Sequence, residues 1–314
     1  MPKTTTTIAA PSSDVFSKTV PLLVQKHAFW ESRKASMEPI TITGQTQEDQ
    51  IRTKSHLTLS KRLLNSDELR AIRHRDTAFR LFLQNTATPF RPGLYLIPLA
   101  LVETVDIEAT KWETERQALV DAAALAYPAH IEAMRVPLGP LFNELDYPSV
   151  PAFKSKFWVD WRFINFGVND KIASVRADIF KKEQAKLERQ SLEAQDMIEQ
   201  HLRSSLFTIT AHLRGLLAPK ASGKRVGLRD NCLDKLTEFL ATVESRNVTG
   251  DQSLAKVCGR LRMLSKKLDL EVLRDADEVR DKVADEMTKI EASLSALVTE
   301  GPAGRGIRLR EEVA

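Results

Sequence analysis

The fold class is decided by residues 157–167, FWVDWRFINFG, the most strand-like stretch of the chain. Aromatic and β-branched side chains dominate this stretch and proline is absent from it, so it predicts a β-strand. Beyond Asn169 no comparable stretch occurs, and the apolar residues recur with the period of helices. This change of pattern predicts an α+β domain followed by an all-helical domain.

Working outward from that strand, the N-terminal half predicts two further strands, at residues 20–30 and 93–99. A helix is expected over 67–85, with Ser66 as its N-cap and two acidic residues, Asp67 and Glu68, in its first turn. Its apolar stripe is Leu69, Ile72, Phe79 and Leu83. A second helix is expected over 106–134, with Ala118, Ala122 and Leu125 packing inside and a break or kink at Pro128. The polar residues 36–56 predict a loop with a short extended piece at 40–43.

These elements define the expected domains. Residues 1–18 predict a disordered lead, and 19–170 an α+β domain with a small mixed or antiparallel sheet. Residues 171–300 predict a helical bundle or coiled-coil domain, whose first long helix covers 172–218. Residues 301–314 predict a disordered tail, so that helices dominate the chain as a whole.

Composition narrows the class of protein. The 314 residues are 42% hydrophobic and 28% charged with a net charge of +4, which is typical of a globular protein and not of a histone-like one. Cys232 and Cys258 are the only cysteines, which excludes a disulfide-rich secreted scaffold and a four-cysteine zinc site. No signal peptide or membrane segment is recognised, so the expected location is the cytoplasm.

Catalytic motifs are missing from the sequence. The histidines lack zinc spacing, and no Gly-x-Ser-x-Gly elbow occurs. The loop around Lys224 resembles a phosphate-binding loop, but Ala218 stands where its first glycine is needed and Arg225 replaces the Ser or Thr that binds magnesium. The sequence therefore predicts no catalytic residue, no metal, no cofactor and no enzyme activity.

The C-terminal helices carry a narrow apolar seam. Apolar residues recur at steps of three and four with charged residues on both sides, the pattern of a coiled coil or an antiparallel bundle. Such a seam suits self-association or a partner helix, and an intramolecular bundle would satisfy it equally. The predicted assembly seam comprises Leu261, Leu264, Leu268, Val279, Val283, Met287, Ile290 and Leu294.

A second set of residues suits single-stranded nucleic acid, because bases stack on aromatic rings and cations meet phosphates. The alternatives are a solvated face, or pairing of the basic cluster around residues 54–80 with the acidic segment 99–146. For the strand at 157–167, the alternative is a core face with its second face under a helix. The candidate residues are Lys61, Arg62, Arg70, Arg73, Arg80, Trp158, Arg162, Lys224 and Arg225.

The order of motifs over about 20–168 resembles an uncharacterised family of phage and mobile-element proteins, known only as a domain of unknown function. The resemblance is carried by Phe29-Trp30, by KRLL at 61–64 before an Arg-rich helix, by the strand at 89–98, and by Asp146-Tyr147-Pro148. Some members are encoded near MoxR-type AAA+ ATPases and von Willebrand A-type proteins. The resemblance implies a phage or mobile-element setting and an AAA+ ATPase as a partner, and it assigns no functional residue.

These features together predict a non-enzymatic assembly or adaptor protein. It would self-associate, or dock on a partner such as the AAA+ ATPase, through its C-terminal helices. The alternative is a single-stranded nucleic-acid-binding accessory protein of phage recombination or replication. No membrane partner is expected.

Overall fold

The computed structural model describes residues 15–35, 46–219, 227–266 and 270–297. The strands are β1 (Thr19–Lys26), β2 (Ser32–Ala35), β3 (Leu59–Arg62), β4 (Thr88–Arg91), β5 (Leu94–Pro98) and β6 (Val159–Phe163). The helices of the first half are α1 (Gln47–His56), α2 (Asp67–Thr86), α3 (Val102–Leu138) and α4 (Val150–Lys154). They are followed by α5 (Asp170–Val175), α6 (Ala177–Leu217), α7 (Asp234–Arg246), α8 (Gln252–Ser265), α9 (Leu270–Asp275) and α10 (Asp277–Ser295). The predicted helix-dominated α+β fold with a small antiparallel sheet is confirmed.

The described residues form two compact units built from interleaved segments. One unit comprises the described residues up to Pro21, Asn85–Val102 and the described residues from Ile164 onward. The other comprises the described residues of Leu22–Gln84 and Glu103–Phe163. The strand β1 begins in the first unit and ends in the second. The domain boundaries expected at residues 18, 170 and 300 remain predictions.

The sheet strands pair antiparallel within each unit. In the first unit β4 pairs with β5, with Thr88 opposite Leu96, and β5 lies beside the start of β1. In the second unit the rest of β1 pairs with β6, with Leu22 opposite Phe163 and Lys26 opposite Val159. A separate two-stranded sheet pairs β2 with β3.

The core of the second unit confirms the helix expected after Ser66. The Ser66 hydroxyl accepts a hydrogen bond from the Leu69 amide at 3.3 Å, as an N-cap does. The predicted apolar stripe of α2, which is Leu69, Ile72, Phe79 and Leu83, is buried. The inner face of α3 completes this core, and the Trp112 ring stacks on Phe79 with centroids 4.4 Å apart.

Within this core lies an ionic cluster that the sequence did not predict. Arg116 on α3 is 2% exposed and donates to Asp76 of α2 at 2.9 Å and to the His27 carbonyl at 3.0 Å. Asp76 also accepts from the Trp112 indole at 3.0 Å and pairs with Lys26 at 2.9 Å. One carboxylate therefore connects α2, α3 and β1.

Two features of α3 differ from what the sequence predicted. The helix runs unbroken from Val102 to Leu138 with Pro128 on its exposed side, so the expected break is absent. Ala118, Ala122 and Leu125 are exposed rather than packed inside. The reason is helical phase, because the face that is buried is a different set of residues, Val105, Ala109, Trp112, Arg116, Val120, Ala123 and Tyr127.

Other differences concern short or polar elements. The expected loop at 36–56 contains α1, which Thr46 caps by accepting from the Asp49 amide at 3.2 Å. The strands β2, β3 and β4 are four residues each, too short for a periodic pattern to show in the sequence. The expected helix 172–218 divides into α5 and α6 because Arg176 has extended backbone angles.

Some predictions fall outside the described residues. These are the extended piece at 40–43, most of the disordered lead, the tail at 301–314 and most of the loop at 219–227. In the described C-terminal part, α10 packs along α6, and α8 packs against both α7 and α10.

Candidate interaction surfaces

The predicted assembly seam is covered by the chain's own helices. The inner face of α10 packs against α6, whose own buried face includes Ile198, Leu202 and Leu206. Leu264 and Val279 are half-buried, and Leu268 lies outside the described residues. The buried members of the seam are Leu261, Val283, Met287, Ile290 and Leu294. These five side chains are therefore almost entirely covered within the single chain.

Arginine side chains fix the helices around this core. Arg203 of α6 donates to Asp251 at 2.7 Å and to the Leu297 carbonyl at 3.1 Å. Asp251 is the N-cap of α8 and accepts from the Ser253 and Leu254 amides. Arg214 of α6 pairs with Glu291 of α10 at 2.8 Å. The positions of α8 and α10 are thus held from α6 by several charged hydrogen bonds.

Beside the buried seam, α8 and α10 leave an open groove of about 590 Å³. Its apolar lining consists of Met263 and Leu264 from α8 and Ile290 from α10. Met263 is 62% exposed, so the α8 side of the groove offers an accessible apolar side chain. We call this feature the α8/α10 groove.

The charges along the α8/α10 groove are unbalanced. The side chains of Lys256 and Arg260, one helical turn apart, are exposed on the α8 side of the groove. Neither side chain forms an ion pair or hydrogen bond with a residue of the described ranges. The sequence of α8, QSLAKVCGRLRMLS, contains no acidic residue. Across the groove, Glu286 is paired with Lys289 at 2.5 Å. The α8 side therefore favours an anionic partner.

Gly259 lies between these two cations in the middle of α8. A Cβ atom built there would meet nothing within 4 Å, so packing inside the chain does not require glycine. Glycine in a helix interior costs about 1 kcal/mol relative to alanine. Because glycine has no side chain, the backbone of another helix can approach α8 closely at this point.

The predicted basic cluster is largely neutralised inside the second unit. Lys61 is buried, where it pairs with Asp146 and donates to the Leu141 carbonyl at 2.6 Å. Arg73 pairs with Glu31, and Arg70 with Asp67. The neighbouring Arg75 binds Glu108 and Glu115. Pairing with the acidic segment 99–146 therefore accounts for Lys61 and Arg75.

Two cations of the predicted cluster remain available. The side chains of Arg62 and Arg80 are exposed, and neither side chain forms an ion pair or hydrogen bond with a described residue. Lys224 and Arg225 lie outside the described residues. The structure thus does not bring all the predicted basic residues onto one free face.

The strand β6 has the two faces that its alternation predicts. Val159, Trp161 and Phe163 are half-buried, whereas Asp160 and Arg162 are exposed. The preceding Trp158 is 48% exposed and stacks on His27, with ring planes 9° apart and centroids separated by 6.1 Å. The face of this segment that carries Trp158, Asp160 and Arg162 is therefore not covered by a helix.

The described residues contain no group of three His, Cys, Asp or Glu side chains placed to hold a metal ion. Among the nucleophiles, Cys258 is buried in α8, and this burial raises the pKa of its thiol to about 11. Burial likewise raises the pKa of Tyr127 to about 12. Both groups are protonated at neutral pH, as structural core residues are.

None of the described helices has an apolar stretch long enough to cross a lipid bilayer. No family model, curated protein or solved structure matches the chain. The resemblance to the phage and mobile-element family therefore remains a prediction, and what the surfaces can bind follows from their own shape and charge.

Proposed function

We propose that this protein is a non-enzymatic adaptor whose α8/α10 groove binds an amphipathic helix of a partner protein. The partner helix would carry acidic residues along its polar edge. The setting implied by the family resemblance is a phage or mobile element in the bacterial cytoplasm, with an AAA+ ATPase as the first partner to test.

This proposal rests on two features of one pair of helices. The α8 side has cations that no described residue neutralises, and the groove has an open apolar lining. Amphipathic helices dock in such grooves through apolar residues spaced at three and four, with charges at the edge deciding which helix is accepted. Lys256 and Arg260 are spaced to meet two acidic residues one turn apart on a helix lying along α8. Gly259 leaves room for that helix between them.

Charge reversal in the groove is expected to reverse the preference of the protein for model helices. Two labelled peptides of one amphipathic design are compared by fluorescence anisotropy, one with Glu and one with Lys at the edge positions. The wild-type chain should bind the Glu peptide at least about tenfold more tightly than the Lys peptide, and K256E/R260E should invert this order.

The matched control is K182E/K186E, which reverses two exposed cations at the same spacing on α6, away from the groove. It changes the net charge equally and should leave the preference for the Glu peptide unchanged.

A second pair of variants separates an effect on binding from an effect on stability. G259A and G215A should each stabilise their helix by about 0.5–1 kcal/mol, and only G259A should weaken binding of the Glu peptide. Equal affinity of the wild-type chain for both peptides would contradict the proposal.

Single-stranded nucleic-acid binding is the second candidate function, and it is supported by the exposed half of Trp158. Trp158 lies parallel to His27 and is 48% exposed, and Lys156 and Arg162 of the same segment are also exposed. A base can extend such a stack while the cations contact phosphates.

If this candidate is right, W158A should weaken binding of a labelled single-stranded oligonucleotide about tenfold, because a base–aromatic stack contributes about 1–3 kcal/mol. Binding is measured by anisotropy at about 50 and 200 mM salt, where phosphate contacts are strongly screened. W30A removes another exposed tryptophan and serves as the control. Absence of binding at the lower salt concentration would exclude this function.

A further inference from the structure

The exposed side of α3 carries a second apolar stripe, separate from the face that is buried. The residues on it recur at steps of three and four, which keeps them on one side of the helix. Leu125 and Val136 are 87% and 90% exposed, and Ile107 is 62% exposed. The exposed stripe comprises Ile107, Lys111, Thr114, Ala118, Ala122, Leu125, Ala129, Glu132 and Val136.

This stripe is long and contains only two charged residues. From Ile107 to Val136 it extends for about 44 Å at 1.5 Å per residue, which is about four heptads. Lys111 lies near one end with its side chain 59% exposed, and Glu132 lies near the other end with its side chain 66% exposed. The middle is formed by small residues and Leu125. A monomeric helix has no need of such a face, because its opposite side already supplies the core.

We propose that the exposed stripe of α3 binds the same stripe of a second copy of the chain, with the two helices antiparallel. The point between Asp121 and Ala122 is the centre of the stripe, and an antiparallel pair is symmetric about that point. In this register Lys111 lies opposite Glu132 of the second copy, Ile107 opposite Val136, and Leu125 opposite Ala118.

Charge decides between this arrangement and a parallel one. Antiparallel pairing creates two Lys111–Glu132 pairs between the copies. Parallel pairing would place Lys111 against Lys111 and Glu132 against Glu132, which is repulsive. Asp121, at the centre, is already neutralised by Lys154 of its own chain at 2.6 Å. The small Ala118 and Ala122 allow close approach of the two helices and leave space for Leu125.

The contacts that Lys111 and Glu132 make in the single chain leave them able to form these pairs. Lys111 reaches Glu115 only at 4.0 Å. Glu132 pairs with Arg135 at 2.8 Å, but Arg135 also binds Glu144 at 2.6 Å, so it keeps a partner when Glu132 turns to the second copy. The dimer leaves the α8/α10 groove out of its interface, so its failure and that of the proposed function are distinguishable.

A charge swap tests both the surface and its orientation. Sedimentation equilibrium of the full chain should show the 35.3 kDa monomer in exchange with a dimer. K111E alone and E132K alone should each weaken the dimer about tenfold, and K111E/E132K should restore it, because the two pairs are re-formed with reversed polarity. In a parallel dimer or at another surface, the double variant would not rescue the single ones.

Leu125 provides the apolar test. L125E should weaken the dimer by at least about a hundredfold, since it places a charge twice in one interface. L192E, which changes a 63% exposed leucine of α6, is the matched control and should leave the dimer intact. Both sites are exposed, so circular dichroism should show unchanged helix content. A wild-type chain that stays monomeric up to about 100 μM, or a double charge variant that does not recover, would overturn the proposal.

Discussion

D76A is expected to destabilise the protein by about 3–5 kcal/mol. The substitution removes the carboxylate that neutralises Arg116, which is 2% exposed and cannot turn to water. It also leaves the Trp112 indole without its acceptor. Urea unfolding, followed by the midpoint at constant m-value, measures the loss.

The control for D76A is D121A, which removes an acid that pairs with Lys154 while both side chains stay about half exposed. Its cost should be within about 1 kcal/mol, as for surface ion pairs. The double variant D76L/R116M should be more stable than D76A, because it removes both buried charges and not only one. Equal destabilisation by D76A and D121A would show that the Arg116 cluster is not the stabilising feature described above.

M287D is expected to destabilise the C-terminal helices by more than about 4 kcal/mol, since it places a carboxylate on a fully buried position of α10. The seam was predicted from sequence as a site of assembly, for which an acidic substitution would change the oligomeric mass and leave the helices intact. Because α10 packs on α6 of the same chain, we expect lost helix content instead. Circular dichroism during thermal unfolding and light scattering distinguish the two results.

V272D serves as the control, because Val272 on the neighbouring α9 is also apolar but is 46% exposed. It should change the unfolding temperature little. If M287D left the helix content unchanged and shifted only the mass, the seam would have to be an interface between copies, and the intramolecular packing of α6 and α10 would be wrong.

Periodic patterns with strong end signals were predictable from sequence alone. The helix after Ser66 is one example, because an N-cap, two acidic residues and an apolar stripe all agree on it. The strand β6 is another, since its aromatic alternation matches the burial that the structure shows. The C-terminal repeat includes five residues that are buried, but the same spacing satisfies a neighbouring helix of the chain and a helix of another protein equally.

The buried face of α3 and the α8/α10 groove depend on tertiary packing, which local sequence patterns do not encode. In α3 two apolar stripes compete, and the one that contains Trp112 and Arg116 is buried because Asp76 satisfies both polar groups. Ala118, Ala122 and Leu125, which belong to the other stripe, were expected inside. The α8/α10 groove was also beyond prediction, because it is defined by the space between two helices whose positions Arg203 and Arg214 fix.

The interleaving of the two units has a spectroscopic consequence. All four tryptophans, Trp30, Trp112, Trp158 and Trp161, belong to the unit formed by Leu22–Gln84 and Glu103–Phe163, and the other unit has none. Intrinsic fluorescence of the unlabelled protein therefore reports on one unit alone, while the long α6 and α10 contribute to the ellipticity from the other. Under mild denaturant the emission maximum of D76A should shift to longer wavelength, while that of M287D should stay at its native wavelength. Tryptophan emission therefore distinguishes unfolding of one unit from unfolding of the other.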